Sequence, residues 1–317
     1  MNFLIKAFAQ KLLSSLPRSA DMNYFFQKHV TKTMPISNGS FHAKIAEAGK
    51  HLAFFEQYAE GVERNSARFY EFGAGWNLIV PIVFSMSGIK SQVITDYRVL
   101  ARLDLVNDTI SRMKSCKSRI EGPGGMRLEA NIPNMRNVTT TSDLLQEYGI
   151  AFLAPRSASS TGLPSDSFDF VSNTVTFEHI PEGDIVDVFQ ECFRILKPNG
   201  LMSCCIDLRD HCAQQDKSIS IYNFLKYSDL TWRIINSSLA FQNRLRFADY
   251  LEMIERKTEF IVLQIEKEEP DEADLEVLIR LKLNKHYRFN YSKEDLGVKT
   301  AWLALRKPGP QGRPLTA

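Results

Sequence analysis

Cysteine is scarce and unpatterned. The five cysteines stand at 116, 192, 204, 205 and 212, an odd number with no C-x-x-C pair. This excludes a disulfide framework and makes a cysteine zinc module unexpected; it favours a reducing compartment, the cytoplasm. An excess of charge of one sign is also missing. Lys and Arg number 39 against 37 Asp and Glu, leaving +2 over 317 residues, so no global field points to nucleic acid. No apolar run reaches the roughly 18 residues that a membrane-spanning helix needs. Internal repeats are absent as well. What remains is the ordinary composition of a globular protein, 44% hydrophobic and 24% charged.

The first 66 residues read as a helical extension. "NFLIKAFAQKLLSSL" sets Ile5, Phe8, Ala9, Leu12, Leu13 and Leu16 on one helical face, but Lys6 and Lys11 interrupt it, which argues against a cleaved signal peptide. Residues 1–32 carry five Lys or Arg against Asp21 alone. A basic amphipathic stripe of this kind packs on the main domain or lies on an anionic membrane at the inner surface, and the first is the commoner fate. Downstream, Ile45, Ala48, Leu52, Phe55 and Tyr58 recur at helical spacing before Gly61.

From residue 67 strands alternate with helices. "ARFYEF", "QVITD", "GIAFLA", "SFDFVSNT" and "LMSCCIDL" read as five strands, and "EFIVLQIE" and "VKTAWLALRKP" as two more. Between them lie helices at 77–88, 99–116 and 182–200, and a Gly/Pro-rich irregular insertion at 117–140. The alternation predicts an α/β, doubly wound, mainly parallel sheet. The expected division is a core at 67–207, a helical lid at 208–257, closing strands at 258–307 and a disordered tail at 308–317. Doubly wound sheets bind ligands at the C-terminal ends of their strands, so the loops after Gly73, Asp96, Asn173 and Asp207 matter most.

The first of these loops, "EFGAGWNL", is a glycine turn after a strand. Gly73 and Gly75 match the first two positions of a dinucleotide fingerprint, but Leu78 occupies the third. No Gly-Lys-Ser/Thr follows, which excludes a phosphate loop. Glu71, two residues before the first glycine, would repel a pyrophosphate and favour an ammonium or sulfonium group. Asp96 ends the second strand, 21 residues beyond Gly75, where a carboxylate accepts hydrogen bonds from ribose hydroxyls.

"EFGAGWN" resembles the first motif of class I S-adenosylmethionine (SAM)-dependent methyltransferases. "LPSDSFDFVSNTVTFEHIP" resembles their fourth-strand block, and "ECFRILKPNGLM" the turn before their fifth strand. The resemblance, of the methyltransferase type 11 kind, spans about 67–207. It implies a seven-stranded Rossmann-like sheet with an antiparallel last strand and SAM across the strand ends. Carried over, Glu71, Gly73 and Gly75 line the methionine side, Asp96 takes the ribose, and Asn173 lies near the transferred methyl. Two positions depart from the pattern. Asn77 replaces the third glycine, and Ser157 stands about where many members place an aspartate against the adenine amino group.

The acceptor is less legible. An oxygen acceptor must lose a proton, and His179 in "FEHIP" and His211 in "DLRDH" are candidate bases, with Asp210 or Glu178 to orient them. A metal-dependent subset resembles E-x-x-EH here; Val175 holds the first position, so no metal is expected. Residues 208–257 mix Tyr222, Phe224, Tyr227, Trp232 and Phe241 with Lys226, Arg233, Arg244 and Arg246, which suits a polar, negatively charged acceptor. The expected activity is O-methylation of a small or glycan-like acceptor. N-methylation of a small molecule and a catalytically weak SAM-binding module that regulates or scaffolds a partner are the alternatives. The Asn/Asp-Pro-Pro-Tyr motif of nucleic-acid methylation is lacking.

Overall fold

The structure is a computed structural model that describes residues 19–29, 33–115, 121–122, 126–127, 135–216, 218–238 and 241–310. The amphipathic stripe at 2–16, most of the expected insertion and the end of the tail lie outside these residues. The sheet strands are β1 (Arg68–Phe72), β2 (Ser91–Thr95), β3 (Ile150–Leu153), β4 (Phe168–Thr174), β5 (Leu196–Asp207), β6 (Ile261–Lys267) and β7 (Thr300–Arg306). Their order is β3-β2-β1-β4-β5-β7-β6. The first five run parallel, while β7 is antiparallel to both β5 and β6. Seven strands with an antiparallel last strand are what the sequence resemblance implies. The central strands are buried on both faces, so that even polar residues of "RFYEF" and "FDFVSNT", Glu71, Ser172 and Asn173 among them, lie in the interior.

Helices α1 (Ser19–His29) and α2 (Asn38–Tyr58) precede the sheet. Ser37 caps α2 by accepting from the Ser40 amide, and the helix buries Phe41, Ile45, Ala48, Leu52 and Phe55. With α3 (Ile79–Met86) and α4 (Leu103–Ser115) it covers one face, where Phe69 and Phe170 meet Phe55 and Phe84. Helices α5 (Thr141–Tyr148) and α6 (Glu182–Ile195) also flank the sheet. On the opposite face Val188, Phe189 and Cys192 of α6 pack with Phe168, Val171 and Met202.

The segment after β5 is less helical than its composition predicts. It holds α7 (Cys212–Gln215), a 3-10 turn at Asn223–Lys226, α8 (Asp229–Ile235) and α9 (Phe247–Lys257). Residues 241–246 run without regular structure because their backbone polar groups are claimed elsewhere. The Phe241 carbonyl meets the His179 ring, the Gln242 carbonyl accepts from Trp232 and Asn236, and the Asn243 amide donates to the Glu178 carbonyl. The sequence reading named only strands between 258 and 307. The structure adds α10 (Glu272–Arg280), α11 (Lys285–Asn290) and α12 (Lys293–Gly297) between β6 and β7. Leu278, Tyr287 and Leu296 of this segment pack with Tyr222, Phe224, Leu225, Trp232 and Ile235. The mass beside the strand ends is therefore built from two separate insertions.

Two arginines of the first insertion, Arg244 and Arg246, are spent on the fold. Arg246 is fully buried and donates to the carbonyls of Leu208, Leu296 and Val298. Arg244 donates to the carbonyls of Phe224 and Tyr227 and pairs with Asp229. Both tie backbone to backbone, and neither is held ready for an acceptor anion.

Candidate active site

The glycine turn connects β1 to α3. Gly73 has φ +75° and Gly75 φ +69°, the left-handed region that glycine enters without Cβ strain. The two differ in their surroundings. A Cβ on Gly73 would overlap the Thr176 side chain, whereas one on Gly75 would meet nothing within 4 Å. Gly73 is thus demanded by packing against the loop after β4, and Gly75 leaves space beside the turn. The backbone stays left-handed again at Leu78, φ +49°, just before α3.

Asp96 is joined to this turn. Its Oδ2 accepts from the Gly75 amide at 3.4 Å and its Oδ1 from the Arg98 amide at 3.0 Å. Burial raises its pKa, opposed by those two amides. Glu71, one strand over, is 2% exposed, and its Oε2 has no hydrogen-bond partner. Burial, which outweighs the nearby Lys44 ammonium, pushes its carboxyl up to about 8. Asn173, on β4, is fully buried with neither Oδ1 nor Nδ2 partnered. Strand register sets Phe72 opposite Asn173 and Glu71 opposite Ser172. Because partners across a ladder share a face, Glu71 faces the α2 side and Asn173 the α6 side of the same strand tips.

The other two expected cofactor positions are engaged locally. Asn77 accepts from Thr109 Oγ1 through its carbonyl, and Ser157 Oγ accepts from the Ser159 amide. On α2, His51 is fully buried between Ser203 Oγ (2.7 Å) and Thr174 Oγ1 (3.0 Å). Burial lowers it to about 3, so it is a neutral hydrogen-bonding core residue. The sequence reading passed over it, and only the register of β4 and β5 reveals its partners.

The second cluster lies after β4 and β5. Val175 is forced to φ +54°, and the chain then enters a 3-10 turn at Phe177–His179. Glu178 is 1% exposed with neither carboxylate oxygen hydrogen-bonded. Burial, then the Asp207 charge, raises its pKa well above the carboxylate range. His179 stays exposed at the surface, yet protein packed on its ring and the neighbouring His211 bring it down to about 4. The two imidazoles stand edge to face with centroids 5.0 Å apart. His211 Nε2 lies 3.4 Å from Asp207 Oδ2 and 3.9 Å from Glu178 Oε1.

The structure thus brings Glu178, His179 and His211 together but gives Asp210 other work. The fully buried Asp210 carboxylate accepts from the Cys212 amide at 2.9 Å and from Asn223 Nδ2 at 3.4 Å, closing its own loop. The carboxylates beside His211 are Asp207 and Glu178. Asp207, read in the sequence only as the start of a loop, is held by a two-pronged Arg209 pair, both contacts 2.8 Å. "DLRD" offers two acids, and only the backbone path tells which one faces the histidine.

Residues 133–204 match the family model described as a methyltransferase domain. No curated protein matches the chain. Among solved structures, a SAM-dependent methyltransferase from Mesorhizobium loti is 12% identical, covering 83% of this chain and 99% of that one, with a TM-score of 0.44. The YcgJ protein from Bacillus subtilis is 12% identical over 82% and 99%, TM-score 0.42. Phosphoethanolamine N-methyltransferase 2 from Haemonchus contortus, solved with SAM, is 14% identical over 82% and 52%, TM-score 0.42. At these values the likenesses add nothing to the strand order itself. The matched segment covers α5, β3, β4, α6 and most of β5, the middle of the seven-stranded sheet.

Proposed function

We propose that the protein transfers a methyl group from SAM to an oxygen of a small or glycan-like polar acceptor. One observation supports this above the others: a glycine turn with open space at Gly75, joined to Asp96 and flanked by buried Glu71 and Asn173 with unused polar atoms. Orphaned buried groups are costly unless a ligand completes them. Asp96 would take the ribose hydroxyls, and Glu71 and Asn173 the polar groups of the methionine end. SAM, when bound, supplies an already activated methyl. The chain's own task is then to orient the acceptor and exclude water.

The Glu178–His179–His211 cluster supports an oxygen acceptor. A hydroxyl must lose its proton as it is methylated, and this is where basic lone pairs meet at the strand tips. His179 Nδ1 faces the Phe241 carbonyl at 2.6 Å, so the ring proton sits there and Nε2 has a lone pair to offer.

Calorimetry with S-adenosylhomocysteine, followed by a methyl-release assay over hydroxylated, amino and sugar acceptors, tests the reading. Binding together with turnover on a hydroxyl compound is the expected result. Turnover on amines alone would replace oxygen by nitrogen. Binding without turnover on any acceptor would favour a regulatory SAM-binding module, a reading that Ser157, whose hydroxyl is already used by Ser159, keeps open.

A further inference from the structure

We infer that Glu178, His179 and His211 form a binding site for one borderline divalent cation of the Zn²⁺ class. One donor atom from each of the three residues lies within 4.8 Å of the others, a span that small side-chain rotations close to metal-ligand separations. Two imidazoles and a carboxylate suit first-row metals rather than Mg²⁺ or Ca²⁺, which prefer oxygen.

Two independent features single this cluster out. First, its carboxylate is unspent. Both oxygens of the buried Glu178 have no hydrogen-bond partner, and His211 Nε2 meets Asp207 Oδ2 only at 3.4 Å. A carboxylate withdrawn from water with nothing to accept from is a group awaiting a ligand. Second, the cluster is held from behind. The Phe241 carbonyl, 2.6 Å from His179 Nδ1, can only accept, so the ring proton sits there and Nε2 carries the lone pair. The Gln242 side chain accepts from the His211 amide and donates to the Arg209 carbonyl. The Asn243 amide donates to the Glu178 carbonyl at 2.7 Å, and its side chain donates to the carbonyls of Phe177 and Ile180. Three consecutive residues each fix one member of the set.

The charges nearby permit a cation. Asp207 lies beside His211, with Arg209 balancing it on its other side. Lys44 of α2 acts on both Glu178 and His179, but it is paired with Glu47 at 2.8 Å. Val175, where the metal-dependent sequence pattern has a carboxylate, adds no ligand. His211, from the loop after β5, supplies the third donor instead.

The inference deepens the reading of the cluster as the acceptor-oxygen end of the site. Glu178, His179 and His211 would hold the cation, which would lower the pKa of an acceptor hydroxyl bound to it so that the proton leaves to water. Its test does not depend on methyl transfer. The full chain, stripped with a chelator, is titrated with Co²⁺ by visible absorption and with Zn²⁺ by calorimetry. One ion per chain is expected, with Zn²⁺ displacing Co²⁺. Glu178→Gln and His211→Gln should each weaken binding at least about tenfold, while Cys212→Ser and His286→Gln leave it unchanged. Circular dichroism confirms that the variants fold. Failure of the unaltered chain to bind either metal would overturn the inference without recourse to any variant. So would affinity unchanged in Glu178→Gln, or binding lost in Cys212→Ser, which would assign the ion to the half-buried Cys212 thiol.

Discussion

The two ends of the site are built differently. The β1–β2 end is local: Glu71, Gly73, Gly75 and Asp96 lie within 26 residues, on two adjacent parallel strands and the turn between them. The β4–β5 end is assembled. Glu178 and His179 come from the loop after β4, Asp207 and His211 from that after β5, and the residues that fix them from 241–243. The first end is made of backbone conformation and two acids. The second depends on side chains meeting across long loops. A common sheet edge can therefore carry one part that tolerates distant change and another that does not.

Four measurements would break or sharpen this contrast, beginning with the largest effect. Glu178→Gln should lower turnover by about 10²-fold or more, in the range of general acid–base losses, with the dissociation constant for S-adenosylhomocysteine within about twofold of the original. A matched loss of homocysteine-adduct binding would show that the two ends are one unit. Asp96→Ala should do the opposite, weakening that ligand by about 10²-fold, the equivalent of about two hydrogen bonds to a charged acceptor. Calorimetry reads it directly.

Glu71 makes a test by pH. Its pKa in the folded chain, about 8, is raised above the ordinary value of 4.5. The stability linked to it is thus full below about pH 4.5 and lost as pH rises to 8. At pH 7 the folded chain still holds this carboxyl largely protonated while the unfolded chain ionises it, a difference that costs about 3 kcal/mol. Glu71→Gln should accordingly stabilise the ligand-free protein near neutrality and flatten its denaturant midpoint between pH 5 and 8, while weakening ligand binding. A midpoint that falls on substitution would sink this account. The smallest effect is expected at Ser157. Ser157→Asp should tighten S-adenosylhomocysteine binding several-fold, since an ionised acceptor makes the stronger hydrogen bond. Unchanged affinity would place the adenine elsewhere.

Much of the fold was legible because its signals are local. Short stretches rich in aromatic and β-branched residues between turn signals read as strands, and the core segments at 68–72, 91–95, 150–153 and 168–174 fall where those stretches do. The helices at 272–297 escaped because they carry no clean buried stripe: α10 buries only Leu278, and the neighbouring Val277 and Ile279 are exposed. Their packing partners lie some fifty residues earlier in the chain. At the site, the glycine turn was readable because φ near +70° restricts residue type whatever surrounds it. Asp210 was a reasonable orienting acid by adjacency alone, but loop closure through Cys212 and Asn223 took its carboxylate.

By itself, the sequence determined where the strands lie, which glycines bend the first turn, and which acids end β1 and β2. These follow from propensity, burial pattern and backbone sterics, all of which act over a few residues. Tertiary structure alone decided that Asp207 rather than Asp210 flanks His211, that α2 presses His51 onto Ser203 and Thr174, and that residues 241–243 hold a carboxylate and two imidazoles in one place. Those contacts join segments 30 to 150 residues apart, and such meetings are set by strand order and loop path, which no local pattern of residues encodes.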